Sequence, residues 1–173
     1  MANTFFTADQ HFGHPGILRH EPRARPFNSI EEHDEVLVQR WNAVVNKNDV
    51  VWVLGDFAWT EEAAREALRR LRGRIRIVLG DHDGKWAKPS ILRMFDQVHG
   101  AVGWKHRILL SHVPQHPGGL KYRFNLHGHL HSGRVTLGSY PGPPDPNYMC
   151  MSVECTRLTP VEVGQVREVT GWW

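Results

Sequence analysis

The sequence predicts an α/β fold, with helices layered on a parallel sheet and a second sheet packed against the first. Three observations carry this. Over the first 80 residues short apolar runs alternate with two helix-period stripes, the order that makes parallel strands joined by crossover helices. After Lys105 the texture changes to strands with Gly- and Pro-rich connections, which predicts a second, more antiparallel sheet. The length, 173 residues, suits one domain over 1–173, large enough to hide about 70% of its unfolded surface.

The elements follow in order. Residues 4–8 form the first strand, which ends at Asp9-Gln10-His11. Ser29-Ile30-Glu31-Glu32 has capping-box spacing, with Ser29 accepting an open N–H and Glu32 reaching back. Leu37, Trp41, Val44 and Val45 then make an apolar stripe one helix face wide. The second strand, 50–54, ends at Gly55-Asp56. A second helix starts at Thr60 and stops at Gly73, with Ala64, Leu68 and Leu71 inward. Glu61/Arg65 and Glu66/Arg70 are i,i+4 pairs on its wet face. The third strand, 75–79, ends at Gly80-Asp81-His82-Asp83. Residues 108–110 run into Ser111-His112, and 124–126 into His127-Gly128-His129-Leu130-His131. Such runs, apolar and bounded by Gly and Asp, read as buried strands. The proline-rich stretch 141–146 is a stiff loop, since 149–156 and 161–169 read as further strands. The terminal Gly171-Trp172-Trp173 either caps the core or forms a dimer patch.

Composition narrows the class. With 40% hydrophobic and 23% charged residues, disorder, collagen and coiled coil are excluded. No apolar run approaches the roughly 18 residues of a membrane span, and the N-terminus lacks the basic region of a signal peptide. Cys150 and Cys155 are only two and five apart, so no disulfide framework and a cytoplasmic, reduced setting are expected. The net charge of +3 suits a phosphate-bearing substrate. It does not supply the long basic track of a stable nucleic-acid complex. The anomaly is histidine: twelve residues, scattered rather than in one run.

Most of that excess falls where the strands end. In an open α/β sheet ligands bind beyond the carboxyl ends of the strands. Asp9, His11, Asp56, Asp81, His112, His129 and His131 all stand there. Taken singly each fragment has a plainer explanation: a capping Asp, a strand-end turn, a half-buried histidine. Together they describe a metal site. Mixed Asp/His donors favour Mn, Fe, Zn, Co or Ni over Ca or Mg. Seven ligands exceed what one tetrahedral ion needs, whereas two ions about 3.5–4 Å apart with one bridging carboxylate use them all.

Asp9-x-His11, Gly55-Asp56, Gly80-Asp81-His82-Asp83, His112 and Gly128-His129-Leu130-His131 resemble the five motifs of the calcineurin-like metallophosphoesterases. His11-Phe12-Gly13-His14, Arg25-Pro26-Phe27, Trp41-Asn42 and Leu54-Gly55-Asp56-Phe57 resemble the small bacterial and phage branch of that superfamily. The resemblance implies a four-layer αββα sandwich, two mixed β-sheets flanked by helices. It implies that Asp9, His11, Asp56 and His131 hold one metal, with Asp56 bridging to a second held by Asp81, His112 and His129. Manganese is the leading candidate. It further implies a phosphoric ester hydrolase, in which hydroxide bridging the metals attacks phosphorus in line. His82 faces the phosphate and assists the leaving group.

Two departures matter. The third motif of the family reads Gly-Asn-His-Asp, and here Asp81 replaces the amide, adding negative charge. The second motif continues Asp56-Phe57-Ala58-Trp59, without the Asp and Arg that protein Ser/Thr phosphatases carry there. Trp59 either stacks a base or belongs to the core. A phosphodiesterase acting on small nucleotide diesters, such as 2′,3′-cyclic nucleotides, is the expected function. A monoesterase or nuclease of the same family, or a scaffold impaired by Asp81, is the alternative. Of the other histidines, His14 is expected to reach the substrate and His127 to be structural. His20, His33, His99 and His106 read as surface, and His116 as part of a solvated loop before Lys121 and Arg123.

Overall fold

Nine short strands build two sheets in the computed structural model, which describes residues 2–105, 107–138 and 141–171. His106, Trp172 and Trp173, and with them the surface reading of His106 and the terminal patch, lie outside the described residues. The chain runs β1 (Thr4–Thr7), α1 (Pro15–His20), α2 (Ile30–Val44), β2 (Val50–Val53), α3 (Glu61–Arg70), β3 (Arg74–Val78), α4 (Pro89–Leu92) and β4 (Gln97–His99). It continues through β5 (Ala101–Trp104), β6 (Ile108–Ser111), β7 (Phe124–His127), β8 (Tyr148–Cys150), β9 (Val161–Glu162) and α5 (Val163–Thr170). The first sheet has the order β4-β3-β2-β1-β9 and the second β5-β6-β7-β8.

The fold class is the expected one, an α/β sandwich of two mixed sheets with helices. β1 through β4 pair in parallel, Thr4 opposite Val50 and Val50 opposite Arg74, and β9 closes the edge antiparallel. The caps were legible: the Ser29 hydroxyl accepts from Glu32 N–H at 3.1 Å and Thr60 from Ala63 N–H at 3.1 Å. The reciprocal half of the first box differs, because Glu32 takes the N–H of Asn28 (2.9 Å). On α3 the pair Glu61/Arg65 forms, whereas Arg70 turns from Glu66 to Glu35 on α2, a partner on the neighbouring helix that spacing along one helix cannot reveal. Val44, the last residue of α2, is exposed rather than inward.

Three expectations change. The second sheet is mostly parallel, since only β5 and β6 are antiparallel. The connections decide this: two-strand hairpins need only a few residues, while the dozen residues at 112–123 allow a crossover. The strand expected at 149–156 stops at Cys150 and gives way to turns. The strand expected at 161–169 is two residues followed by α5. There Glu162 and Gln165 form a capping box, Val163 and Val166 are one helical turn apart, and Gly171 in the left-handed conformation ends the helix.

Strand alternation divides the core in two. Phe5, Val51, Val53, Ile75 and Ile77 face α2 and α3, packing on Leu37, Trp41 and Ala64. Phe6, Trp52, Leu54 and Val78 face the second sheet, meeting Ile108, Leu110, Phe124 and Leu126. Each such side chain contributes about 1.5–3 kcal/mol on burial. In the second sheet Asn125 also holds the segment after β6: its Oδ1 accepts from Gln115 N–H at 2.9 Å. The two cores clamp the sheets so that their strand ends meet at one edge.

Candidate metal centre

At that edge the backbone bends sharply. Asp9, His11, Asp56, His129 and His131 all have positive φ, between 50° and 70°, and make up most of the non-glycine residues described in that region. Asp and His enter it more readily than most side chains. Each such residue still costs on the order of 1–3 kcal/mol, and strain of this kind collects at functional sites. The turns are tied to each other: Asp9 N–H donates to Gly55 O and His11 N–H to Asp56 O, both at 3.0 Å. Glycine is required beside them. A Cβ on Gly128 would lie 2.5 Å from Asp9 Oδ2, and one on Gly80 would overlap the Asp56 carboxylate.

All seven expected ligands come together. Asp9, His11 and His131 present donor atoms within 4.8 Å of one another, and Asp81, His112 and His129 do likewise. Asp56 stands between the groups, joining Asp9 and His112 in one cluster and Asp81 and His82 in another. Its Oδ2 is 3.6 Å from His11 Nε2 and 3.5 Å from His112 Nε2. Asp81 Oδ1 is 2.8 Å from His112 Nε2 and 3.2 Å from His129 Nδ1. Asp9, His11, Asp56 and His112 are buried, while the side chains of Asp81 (50%), His129 (40%) and His82 (36%) are open to solvent. The centre therefore has a floor and a mouth.

The donor set fits a divalent cation. His11 Nε2 is buried and has no hydrogen-bond partner, a cost that a coordinated ion removes. His112 Nδ1 donates to Leu54 O and His131 Nδ1 to Glu154 Oε1, both at 2.8 Å, which leaves each Nε2 lone pair for the cluster. Charge balance agrees. Burial pushes the Asp9 carboxyl up to about 7 and that of Asp83 up to about 6. Against burial, Asp9 and Asp56 raise His112, and Glu154 and Asp9 raise His131. Crowded carboxylates in low dielectric lack positive charge, which a cation supplies.

No protein-family model matches the chain. An uncharacterized protein of Methanocaldococcus jannaschii is 30% identical over 168 residues, covering 94% of this chain and 88% of its own. The Gene 66 proteins of two mycobacterium phages are 30% and 31% identical, over 78% and 83% of this chain and 80% and 85% of theirs. The chain belongs to the family of these Methanocaldococcus and phage proteins. Among solved structures, a protein of unknown function from Aquifex aeolicus has a TM-score of 0.72 at 23% identity, covering 98% of this chain and all of its own. Pseudomonas putida nuclease MPE has a TM-score of 0.51 at 19% identity, over 74% of this chain and 61% of that one. At these identities the likeness is one of fold.

Around the centre of this family member the structure gives roles to residues to which the sequence assigned none. Asp83 holds the second and third turns together, accepting from Asp56 N–H (3.0 Å), Phe57 N–H (2.9 Å) and Gly80 N–H (2.8 Å). Ser152 donates to Asp9 Oδ2 at 2.6 Å. Arg25 and Glu154 form a buried ion pair behind Asp9 and His131. Asp83 is the last residue of the third motif, which gave it no role of its own. Ser152 and Glu154 lie in a stretch that reads as a strand, and no local pattern marks them.

The remaining histidines separate. His82 stands at the mouth, its Nε2 3.7 Å from Asp81 Oδ2 and 3.8 Å from Asp56 Oδ2, anchored by its N–H on Asp56 Oδ1 (3.0 Å). His14 lies beside His11, with the two Nδ1 atoms 3.3 Å apart, and stacks flat on Trp59 at 3.7 Å. Lys85 Nζ is 3.2 Å from the same ring centre, so it must occupy the opposite face. Trp59 is thus neither core nor an open platform for a base. His127 is buried, donates to Gly128 O (2.8 Å) and stays outside the clusters. His33, expected at the surface, is buried, because Arg25 donates to its Nε2 at 2.8 Å. His99 is half-buried against Trp52, while His20 and His116 are exposed. Both cysteines are free thiols. No helix among the described residues is long and apolar enough to cross a membrane.

Proposed function

We propose that the chain is a calcineurin-like metallophosphoesterase of the small bacterial and phage type, a phosphodiesterase hydrolysing small nucleotide diesters such as 2′,3′-cyclic nucleotides. One observation carries this reading: two triads of Asp and His, Asp9–His11–His131 and Asp81–His112–His129, lie on either side of Asp56, with His82 over the mouth between them. Asp9, His11, Asp56 and His131 would hold one divalent ion, and Asp56, Asp81, His112 and His129 a second. Manganese is the leading candidate, with Fe, Zn, Co and Ni suited to the same donors. When bound, such a pair supplies Lewis acidity toward phosphoryl oxygens and makes water acidic enough to act as nucleophile near neutral pH.

The chain's own groups do the rest. His82, half open and fixed through its N–H to Asp56, is placed to give a proton to the leaving-group oxygen. His14 lines the same mouth beside Trp59. The preference for diesters rests on charge. Asp81 puts an exposed carboxylate at the mouth, and the arginine beside the cluster, Arg25, has its donors committed to Asp9 O, Gln10 O, His33 and Glu154. A singly charged diester tolerates that better than a dianionic monoester. The free thiols suit a reducing, cytoplasmic setting.

Turnover of a bis-aryl phosphodiester with added Mn²⁺ is the test, extended to aryl monoesters, 2′,3′-cyclic nucleotides and single-stranded DNA. Expected are metal-dependent turnover, diesters ahead of monoesters, and a loss of about 10²–10⁴-fold in His82→Ala. No turnover of any ester with any of the five ions would overturn the reading; faster monoester or DNA cleavage would overturn its specificity alone.

A further inference from the structure

We propose that the buried Arg25–Glu154 pair is a positioning device for one half of the centre, setting the affinity of the Asp9–His11–His131 site and leaving the other site untouched. The inference rests on the reading that those three residues hold a cation.

The geometry is specific. Glu154 Oε1 accepts from Arg25 Nε (2.8 Å), from Arg25 Nη2 (2.6 Å) and from His131 Nδ1 (2.8 Å). The same guanidinium donates to Asp9 O through Nη2 (2.5 Å) and to Gln10 O through Nη1 (2.9 Å). One planar cation thereby grips the main chain of the first motif and, through one carboxylate oxygen, the imidazole of the last. Its remaining contact is His33 Nε2 at 2.8 Å, and His33 Nδ1 donates in turn to Asp34 (2.8 Å). Asp34 also accepts from Gly13 N–H at 2.8 Å, so the loop after His11 is held by the same chain of contacts.

Both side chains of the pair are fully buried. Taking two charges out of water costs more than their attraction commonly returns, and an apolar pair of similar volume is often as stable or more so. Stability alone does not explain the pair. Its placement does: all but one of the Arg25 donor contacts ends on a residue that bears, adjoins or orients an expected ligand. A carboxylate on the Nδ1–H of a ligating histidine fixes the tautomer and raises the basicity of Nε2. Among the described residues the second site has no counterpart, since His112 Nδ1 donates to the neutral carbonyl of Leu54. The two sites therefore differ in how one histidine of each is oriented, His131 by charge and His112 by main chain.

That asymmetry gives the test. Mn²⁺ binding to the metal-stripped full chain is measured by calorimetry in the wild type and in Glu154→Gln, which keeps the shape and removes the charge. Each is measured alone and on two backgrounds, His112→Ala and His131→Ala. On the His112→Ala background, where the first site remains, Glu154→Gln is expected to weaken binding about 10–100-fold. On the His131→Ala background, it is expected to change nothing. Equal losses on both backgrounds would mark a general structural role and overturn the proposal, as would no loss on either. Glu154→Asp, which keeps the charge and shortens the reach, is the second variant if the amide does not fold, with the same pattern expected. Arg25→Lys, which loses the fork, is expected to follow Glu154→Gln. A wild type that binds no Mn²⁺ would instead overturn the two-ion reading itself.

Discussion

The centre has two halves built on different principles. The floor, with Asp9, His11 and Asp56 buried and His131 half-buried, is held at positive φ and gripped from behind by Arg25, Glu154 and Ser152. The mouth, Asp81, His82 and His129, is open to solvent, and of these only His129 has positive φ. In the floor a ligand's position depends on groups more than a hundred residues away in the chain. At the mouth it depends on the cluster itself: His129 N–H and His82 N–H donate to Asp9 and Asp56, and Asp81 meets His112 and His129. Substitutions in the floor should therefore propagate, and those at the mouth should stay local.

Two alanine substitutions separate the halves most sharply. In Gly128→Ala the new Cβ meets Asp9 Oδ2 at 2.5 Å, Ala8 Cβ at 2.8 Å and Leu54 O at 2.9 Å. Backbone and a buried carboxylate cannot swing aside, so a stability loss of about 1–3 kcal/mol and loss of metal binding at the floor are expected. In Gly84→Ala, two residues after His82, the Cβ meets nothing within 4 Å, and stability should stay within about 0.5 kcal/mol. Chemical denaturation of both metal-free proteins measures this. Similar losses in the two would erase the distinction between floor and mouth.

The same division explains what the sequence made legible. Strand ends bearing Asp or His, the glycines before them and the Ser29 and Thr60 caps are local patterns, and each is found where its spacing places it. Arg25 and Glu154 are not local: their contact spans 129 positions, and neither carries a periodicity that marks it. Arg25 lies in a segment that resembles the family, yet a motif does not say that its guanidinium turns inward. Similarly, Val161, Val163 and Val166 read as strand residues by composition. The capping box at Glu162 and Gln165 decides for helix after two residues of strand pairing. The parallel pairing of the second sheet depended on the path of long connections, which spacing alone leaves open.

A metal-linked pH dependence tests the floor next. Its Asp9 carboxyl, raised by burial from 3.8 to about 7, makes the metal-free fold less stable as pH climbs from near 4 to near 7, because the charged form is disfavoured there. His112 and His131, raised by neighbouring carboxylates, act in the same direction: their contribution is present below pH 6.5 and lost as pH rises. A cation reverses both effects but must displace a proton from Asp9 below pH 7. Between pH 8 and pH 6 that displacement costs about 1.4 kcal/mol. The increase in melting temperature on adding Mn²⁺ should accordingly be larger at pH 8 than at pH 6. A shift that is equal at the two pH values, or larger at pH 6, would show that Asp9 is not the group the ion displaces.

A small effect on metal affinity and turnover is expected at the mouth, from Asp81→Asn. The Asp81 side chain is half exposed. Burial opposes its ionisation, yet its own backbone N–H and His112 hold the carboxyl below the usual range, so it is charged at neutral pH. The amide keeps an oxygen for the ion and removes one negative charge that faces the incoming phosphate. Solvent screening limits such a charge to about 1 kcal/mol, a factor of roughly five. Metal affinity should fall by about that factor, while turnover of a diester at saturating Mn²⁺ should rise by a similar one. His82 and the floor are left as they were, so metal affinity and kcat move in opposite directions, as a local charge effect requires. An unchanged or lower kcat at saturating metal would mean that Asp81 contributes more by orienting His112, 2.8 Å from its Oδ1, than its charge repels. The mouth would then share the floor's dependence on fixed geometry.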